Sequence, residues 1–260
     1  EKVLMTLAEK GVDDWVPHHV HLFKREQFDP AYLKLNPKAQ VPTVVHDGEI
    51  IRESSIICDY IDDLYPESSL KPANRAAIAQ MREWIKEEDE FGFEGVASLS
   101  FAAIFRARLL EMSDADRTAY WAGQTLIDRT LRQKSCVEEG LASPYVVRAL
   151  AGWERIFAKI EKTLSDGRPW LMGDDLSLAE INFAPMIARI DAMCLLPVWL
   201  DERPRTAGWW KNIKSRSSFT KANVGPAAGE EAEKYAREGS KIVEPARQQL
   251  AEHLAAYGSS

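Results

Sequence analysis

Apolar residues recur along this chain in two rhythms, and the change from one to the other divides it. Val3, Leu4, Leu7 and Ala8 keep the spacing of one helix face until Gly11, which supplies a stop. Val16 to Phe23 reads as a strand. Past a polar stretch holding Tyr32 and Leu33, the β-rich run Val41-Pro42-Thr43-Val44-Val45 is closed by the turn His46-Asp47-Gly48, and Ile50-Ile51-Arg52 is its hairpin partner. From Ser54 onward, Ile56, Ile57, Tyr60, Ile61 and Leu64 mark an amphipathic helix that ends before Pro66. Residues 1–65 therefore predict helix, strand, helix, hairpin, helix.

Residues 66–73 carry two prolines and two serines, and beyond them the β signals fade, so this stretch is read as a linker between domains. Residues 74–260 are expected to be all-α. Met81, Trp84 and Ile85 hold the helical period on one segment, and Trp153, Ile156, Phe157, Ile160 and Leu164 on another. Leu176-Ser177-Leu178-Ala179-Glu180-Ile181 is a capping box with an apolar staple: Ser177 caps, Glu180 reaches back, and Leu176 faces Ile181. Pro185 should interrupt and kink the helix that follows. From about residue 223 the chain continues as an extension, in which Val243, Ala246, Leu250, Leu254 and Tyr257 form one apolar seam. No repeat of solenoid period is present.

Composition narrows the classes further. With 45% hydrophobic and 28% charged residues the chain is an ordinary globular one, and no apolar run approaches the roughly 20 residues of a spanning helix. No membrane association is expected, and the reading is cytoplasmic. A net charge of −7 with scattered Lys and Arg argues against nucleic acid, whose binders concentrate cations. Cys58, Cys136 and Cys194 lie far apart without ligand spacing, as in a reducing compartment, and Cys58 and Cys194 sit among apolar residues as core positions. His18, His19 and His21 have no carboxylate or cysteine cluster beside them, so no metal is expected.

The chemistry is concentrated in Asn36-Pro37-Lys38-Ala39-Gln40-Val41-Pro42-Thr43-Val44, then His46-Asp47-Gly48, then Glu53-Ser54-Ser55-Ile56-Ile57. A cis Val41-Pro42 bond at a strand opening would turn the Val41 backbone outward, leaving an amide and a carbonyl for an extended peptide ligand. Ser54 stands where a strand gives way to a helix, so it is the expected N-cap of a first turn whose free amides suit an anion. In this order and spacing the pieces resemble the glutathione site of the cytosolic glutathione transferases. That resemblance implies an α+β fold: a thioredoxin-like N-terminal domain over residues 1–65 and a helical domain over residues 74–260 that lines the electrophile pocket. It also implies glutathione as cosubstrate, with Val41 after the cis Pro42 holding the cysteinyl part and Ser54 the γ-glutamyl carboxylate. Glu53 would face the ligand's ammonium, and Lys38 with Gln40 its glycine carboxylate.

The same resemblance implies a first strand and a thiolate-stabilising Ser, Cys or Tyr just before Glu1, so the polypeptide is expected to extend upstream. It covers residues 1 to about 222, including Arg203-Pro204 through Phe219, where a Ser replaces the usual Pro before Ser218. Phe91, Phe93, Phe101 and Phe105 are either pocket lining or core. Asp89 either approaches the γ-glutamyl ammonium, from this subunit or a partner, or is an exposed helical residue. Asn36 to Glu90 is similar to aryl-ether-cleaving transferases, and Ala188-Arg189-Ile190 through Phe219 to reductive dehalogenases of the family. The implied activity is attack of glutathione thiolate on a small hydrophobic electrophile, aromatic or aryl-ether, by a homodimer. A non-catalytic scaffold and a thiol-disulfide oxidoreductase of the same fold are the alternatives.

Overall fold

The first apolar period folds as helix α1, Lys2–Lys10, in a computed structural model that describes residues 1–226 and 229–258. Gly11 stops it at φ 68°, a left-handed turn without steric cost for glycine. Helix α2 (Pro30–Leu35) starts on Asp29, whose side chain accepts from Ala31 N at 2.9 Å. Strands β1 (Thr43–His46) and β2 (Glu49–Arg52) form an antiparallel hairpin in which Thr43 faces Arg52 and His46 faces Glu49. Helix α3 (Ser54–Leu64) follows and buries Ile57, Cys58 and Ile61.

The strand expected over Val16 to Phe23 is absent. Residues 13–21 are irregular and Leu22–Lys24 is a 3₁₀ turn. A strand persists where a neighbour takes its N–H and C=O groups, and among the described residues β1 and β2 pair only with each other. Val16 is accordingly 77% exposed.

Beyond Pro66 the described chain is helical. Helices α4 (Arg75–Glu87), α5 (Phe93–Ser100) and α6 (Arg106–Leu110) follow one another through two π-helical turns, Glu88–Gly92 and Phe101–Phe105. Next come α7 (Asp114–Ala122), α8 (Ile127–Glu139), α9 (Pro144–Thr163) and α10 (Leu178–Ala192). Helices α11 (Pro197–Leu200), α12 (Pro204–Lys214) and α13 (Ser217–Lys221) precede the extension, which forms α14 (Glu230–Ser240) and α15 (Val243–Tyr257). Trp153 and Phe157 of α9 stack at 5.1 Å, and Phe183 of α10 meets Trp84 of α4 at 6.0 Å, so α4, α9 and α10 share one aromatic core.

Helix α10 runs unbroken through Pro185, against the expected interruption. Residues 178–185 are all buried, and packing on every side outweighs the lost amide and ring clash, about 3 kcal/mol. The capping box forms as expected: Ser177 Oγ accepts from Ala179 N, and Glu180 accepts from Ser177 N at 3.0 Å. Glu180 also accepts from Leu171 N at 2.6 Å and Trp209 Nε1 at 3.4 Å, so one buried carboxylate ties α10 to the preceding loop and to α12. Burial pushes its carboxyl up.

Two further expectations are corrected. Cys194 is exposed, at φ 57° in the turn after α10, whereas Cys58 and Cys136 are buried. Ala246 and Leu250 seat α15 on α9 and α11, but Tyr257 is 73% exposed and lies outside the seam.

Replacing Glu180 by Ala strands the Leu171 and Trp209 donors and undoes the cap. The expected loss of stability is about 3 kcal/mol by urea titration, against about 1 kcal/mol for Ser177→Ala.

Candidate functional site

The loop between α2 and β1 is held from beneath by two side chains. Tyr32 Oη donates to Gln40 O at 2.7 Å, and buried Asn36 donates from Nδ2 to the same carbonyl at 2.9 Å. Asn36 Oδ1 accepts from Lys38 N at 3.1 Å. Ala39 bends the loop at φ 53°, a left-handed position that an alanine occupies at a cost of roughly 1 kcal/mol. The Val41-Pro42 bond is cis, as expected. Val41 is 42% exposed, and its N–H and C=O make no hydrogen bond within the described residues, nor does the Gln40 amide side chain.

At the other side of the site α3 begins, one residue away from the expectation. Glu53 is the N-cap, at φ 65°, and its carbonyl accepts the first helical bond from Ile57 N at 2.9 Å. Ser54 is the first helical residue. Its hydroxyl, half-buried, has no partner among the described residues, and the amides of residues 54–56 lack an acceptor one turn back. Positive φ at Glu53 replaces the side-chain cap that the Ser54 reading assumed.

Charge at the site is arranged in two pairs. Lys38 Nζ lies 2.6 Å from Glu53 Oε1, and both groups are exposed. Such a pair parts for about 0–1 kcal/mol, so either group is free to turn to a ligand. On the other side of α3, Ser55 Oγ donates to Asp89 Oδ2 at 2.8 Å, which puts Asp89 of this chain beside the helix N-terminus. The π turn Glu88–Gly92 explains this placement: its wider turn brings consecutive acids toward α1 and α3 together. Glu88, fully buried, ion-pairs with Lys2 of α1, and Lys2 Nζ is also 3.6 Å from Asp89. Burial pushes the Glu88 carboxyl up to about 7, against the opposing pull of Lys2.

Nothing in the sequence reading anticipated the Lys2–Glu88 pair, because its partners stand 86 residues apart. Nor did it anticipate Thr125, whose hydroxyl donates to Lys38 O at 2.9 Å and docks the segment after α7 onto the loop. Cys58 lies on the buried face of α3, where burial pushes its thiol up to about 11, too high to supply a thiolate near neutral pH.

The four Phe residues divide. Phe91 lies under Arg155 at 4.2 Å and borders a cavity of about 10 Å³, room for one water. Phe93 is 39% exposed. Phe101 and Phe105 pack edge to face at 5.2 Å in the second π turn, both half-buried, and that turn contacts α14.

Hairpin, cis proline and capped helix belong to a family that the chain's similarity establishes. Residues 1–69 match the glutathione S-transferase N-terminal domain and residues 124–211 the glutathione S-transferase C-terminal domain. The chain belongs to the glutathione S-transferase family, with a thioredoxin-like N-terminal domain followed by a helical one. Among its relatives is Protein LigF of Sphingobium sp., 33% identical over 70% of this chain and 72% of that protein. The tetrachloro-p-hydroquinone reductive dehalogenase of Sphingobium chlorophenolicum is 26% identical over 86% of this chain and 91% of its own. The crystal structure of the β-etherase LigF from Sphingobium sp. strain SYK-6 superposes with a TM-score of 0.74 at 27% identity, covering 85% of this chain and 93% of that one. Both branches singled out by the sequence are thus represented.

The raised Glu88 carboxyl sets a pH dependence. Between its ordinary value of 4.5 and about 7 the folded state holds a proton that the unfolded chain has released, so this group's contribution to stability falls as pH rises through that window. The paired substitution Lys2→Met with Glu88→Gln, which removes both buried charges and leaves Asp89 open to solvent, should flatten the decline in urea midpoint from pH 5 to 7. An unchanged slope would remove Glu88 as its source.

Proposed function

We propose that this chain binds glutathione across Val41 and the first turn of α3 and directs its thiolate at an aromatic or aryl-ether electrophile. The observation that carries the reading is the set of unspent groups flanking the open end of the β1–β2 hairpin, where Thr43 faces Arg52: the Val41 N–H and C=O, and the Ser54 hydroxyl and first-turn amides. An extended peptide satisfies the first as an added strand, and its carboxylate satisfies the second. Glu53 and Asp89 then offer negative charge to the γ-glutamyl ammonium, while Lys38 and Gln40 take the glycine carboxylate once Lys38 leaves Glu53.

Glutathione supplies the nucleophile: its sulfur forms a bond to the electrophilic carbon as the leaving group departs with its electron pair. The chain's contribution is to orient that tripeptide, with residues 66–73 as the boundary from which the helical domain supplies the electrophile side. Family membership and similarity to a β-etherase and a reductive dehalogenase support an aromatic substrate. A homodimer accompanies this reading, supported by the exposed apolar residues Val45 and Ile56 near the site and Phe93 and Leu131 on the helical domain.

Retention on immobilised glutathione, with elution by free glutathione, tests the reading. Ser54→Ala should weaken the affinity about tenfold, the loss of one hydrogen bond to a charged group. A chain that passes through unretained would contradict it. Retention without turnover of any aryl halide or aryl ether would leave a binding scaffold.

A further inference from the structure

Arg189 and Tyr235 meet where the extension closes over the helical domain. Arg189 lies on α10, half-buried, and donates from Nη1 to the hydroxyl of Tyr235 on α14, its guanidinium 4.6 Å above the ring. Tyr235 is only 4% exposed. Helix α14 is seated at close range: a side chain added at Gly239 would come within 2.0 Å of Met193 O at the end of α10. The contact therefore needs glycine there.

Both polar groups retain donors without acceptors. Arg189 makes no ion pair among the described residues, in a chain whose net charge is −7. Among the described residues its Nε and Nη2 make no hydrogen bond, and Tyr235, having accepted from Arg189, keeps its own proton to donate. The Glu1 carboxylate acts by charge on both Arg189 and Tyr235 and Glu231 on Tyr235, yet among the described residues neither is hydrogen-bonded to the pair. Burial keeps the phenol protonated. Two unspent donors side by side, one of them cationic, call for an anionic oxygen.

Their place in the fold says what would carry that oxygen. Helix α14 packs on the π turn that holds the Phe101 and Phe105 rings and on α10, and α10 in turn packs on α1. The segment entering the extension is tied to the start of α1 by Gly225 N donating to Glu1 Oε1 at 3.3 Å. Resting on the transferase reading above, which expects the thiolate near the start of α1, we infer that Arg189 and Tyr235 form the polar end of the electrophile site. They select aromatic electrophiles that bear an anionic oxygen, carboxylate or phenolate, with Phe101 and Phe105 against the ring.

Calorimetric binding of three probes to the full chain, with and without glutathione, tests this: 4-nitrobenzoate, 4-nitrophenolate at about pH 8, and neutral nitrobenzene. Wild type should prefer at least one anionic probe by about tenfold or more, and Arg189→Met should erase most of that ratio. Arg189→Lys and Tyr235→Phe, which keep the charge and the ring respectively, should each reduce it about threefold and carry the test if Arg189→Met does not fold. Carboxylate favoured over phenolate, or the reverse, identifies the oxygen and supports the inference either way. No anionic preference in wild type, or a ratio that survives all three substitutions, overturns it. A purely structural pair would lower melting temperature and weaken all probes alike, which also overturns it. A chain that ignores glutathione yet keeps the Arg189-dependent preference would defeat the transferase reading and leave this one standing.

Discussion

The buried ion pair between Lys2 and Glu88 is the constraint on which the site depends. Removing either partner would strand the other away from water, so the pair holds α1 and the π turn after α4 face to face. Asp89 follows in the chain and is delivered by that lock to Ser55, at the N-terminus of α3. Helix α1 also packs on α3, α10 and α13, and its Glu9 receives both Arg216 and Ser218 from the closing helices. One helix thereby joins the glutathione-side domain to both ends of the helical one.

The two π turns act on this frame. Each inserts an extra residue into a helical run and so resets which side chains face inward. The first turns Glu88 and Asp89 toward the N-terminal domain. The second, Phe101–Phe105, packs against both α8 and α14 of the extension. The helical domain thus owes its arrangement to a reset helix, to α10 and to the C-terminal extension, whereas the β1–β2 hairpin is built from local geometry.

That division also explains what was legible in the sequence. Hairpin, cis proline, α1 with its glycine stop and the Ser177–Glu180 box are local, decided by residues within a few positions, and all formed as read. The Val16 to Phe23 strand failed because a strand is a relation to a neighbour, and its own residues cannot supply one. A hydroxyl at a strand-to-helix junction normally caps, which points to Ser54, but the positive φ that makes Glu53 the cap leaves no sequence mark in a glutamate. Pro185 was overruled by burial on all sides. The pairs that define the candidate chemistry beyond the motif, Lys2 with Glu88 and Arg189 with Tyr235, join residues 86 and 46 positions apart and emerge only from packing.

The central claim is that the exposed Val41 backbone and the first turn of α3 together form the tripeptide's seat. Amide NMR of protein labelled with ¹⁵N at valine and serine measures this directly during a glutathione titration. The account predicts saturable shifts at Val41, Ser54 and Ser55 with one common affinity, the remaining valines and serines moving little. Shifts centred elsewhere, or none at these three amides at saturating glutathione, would contradict it.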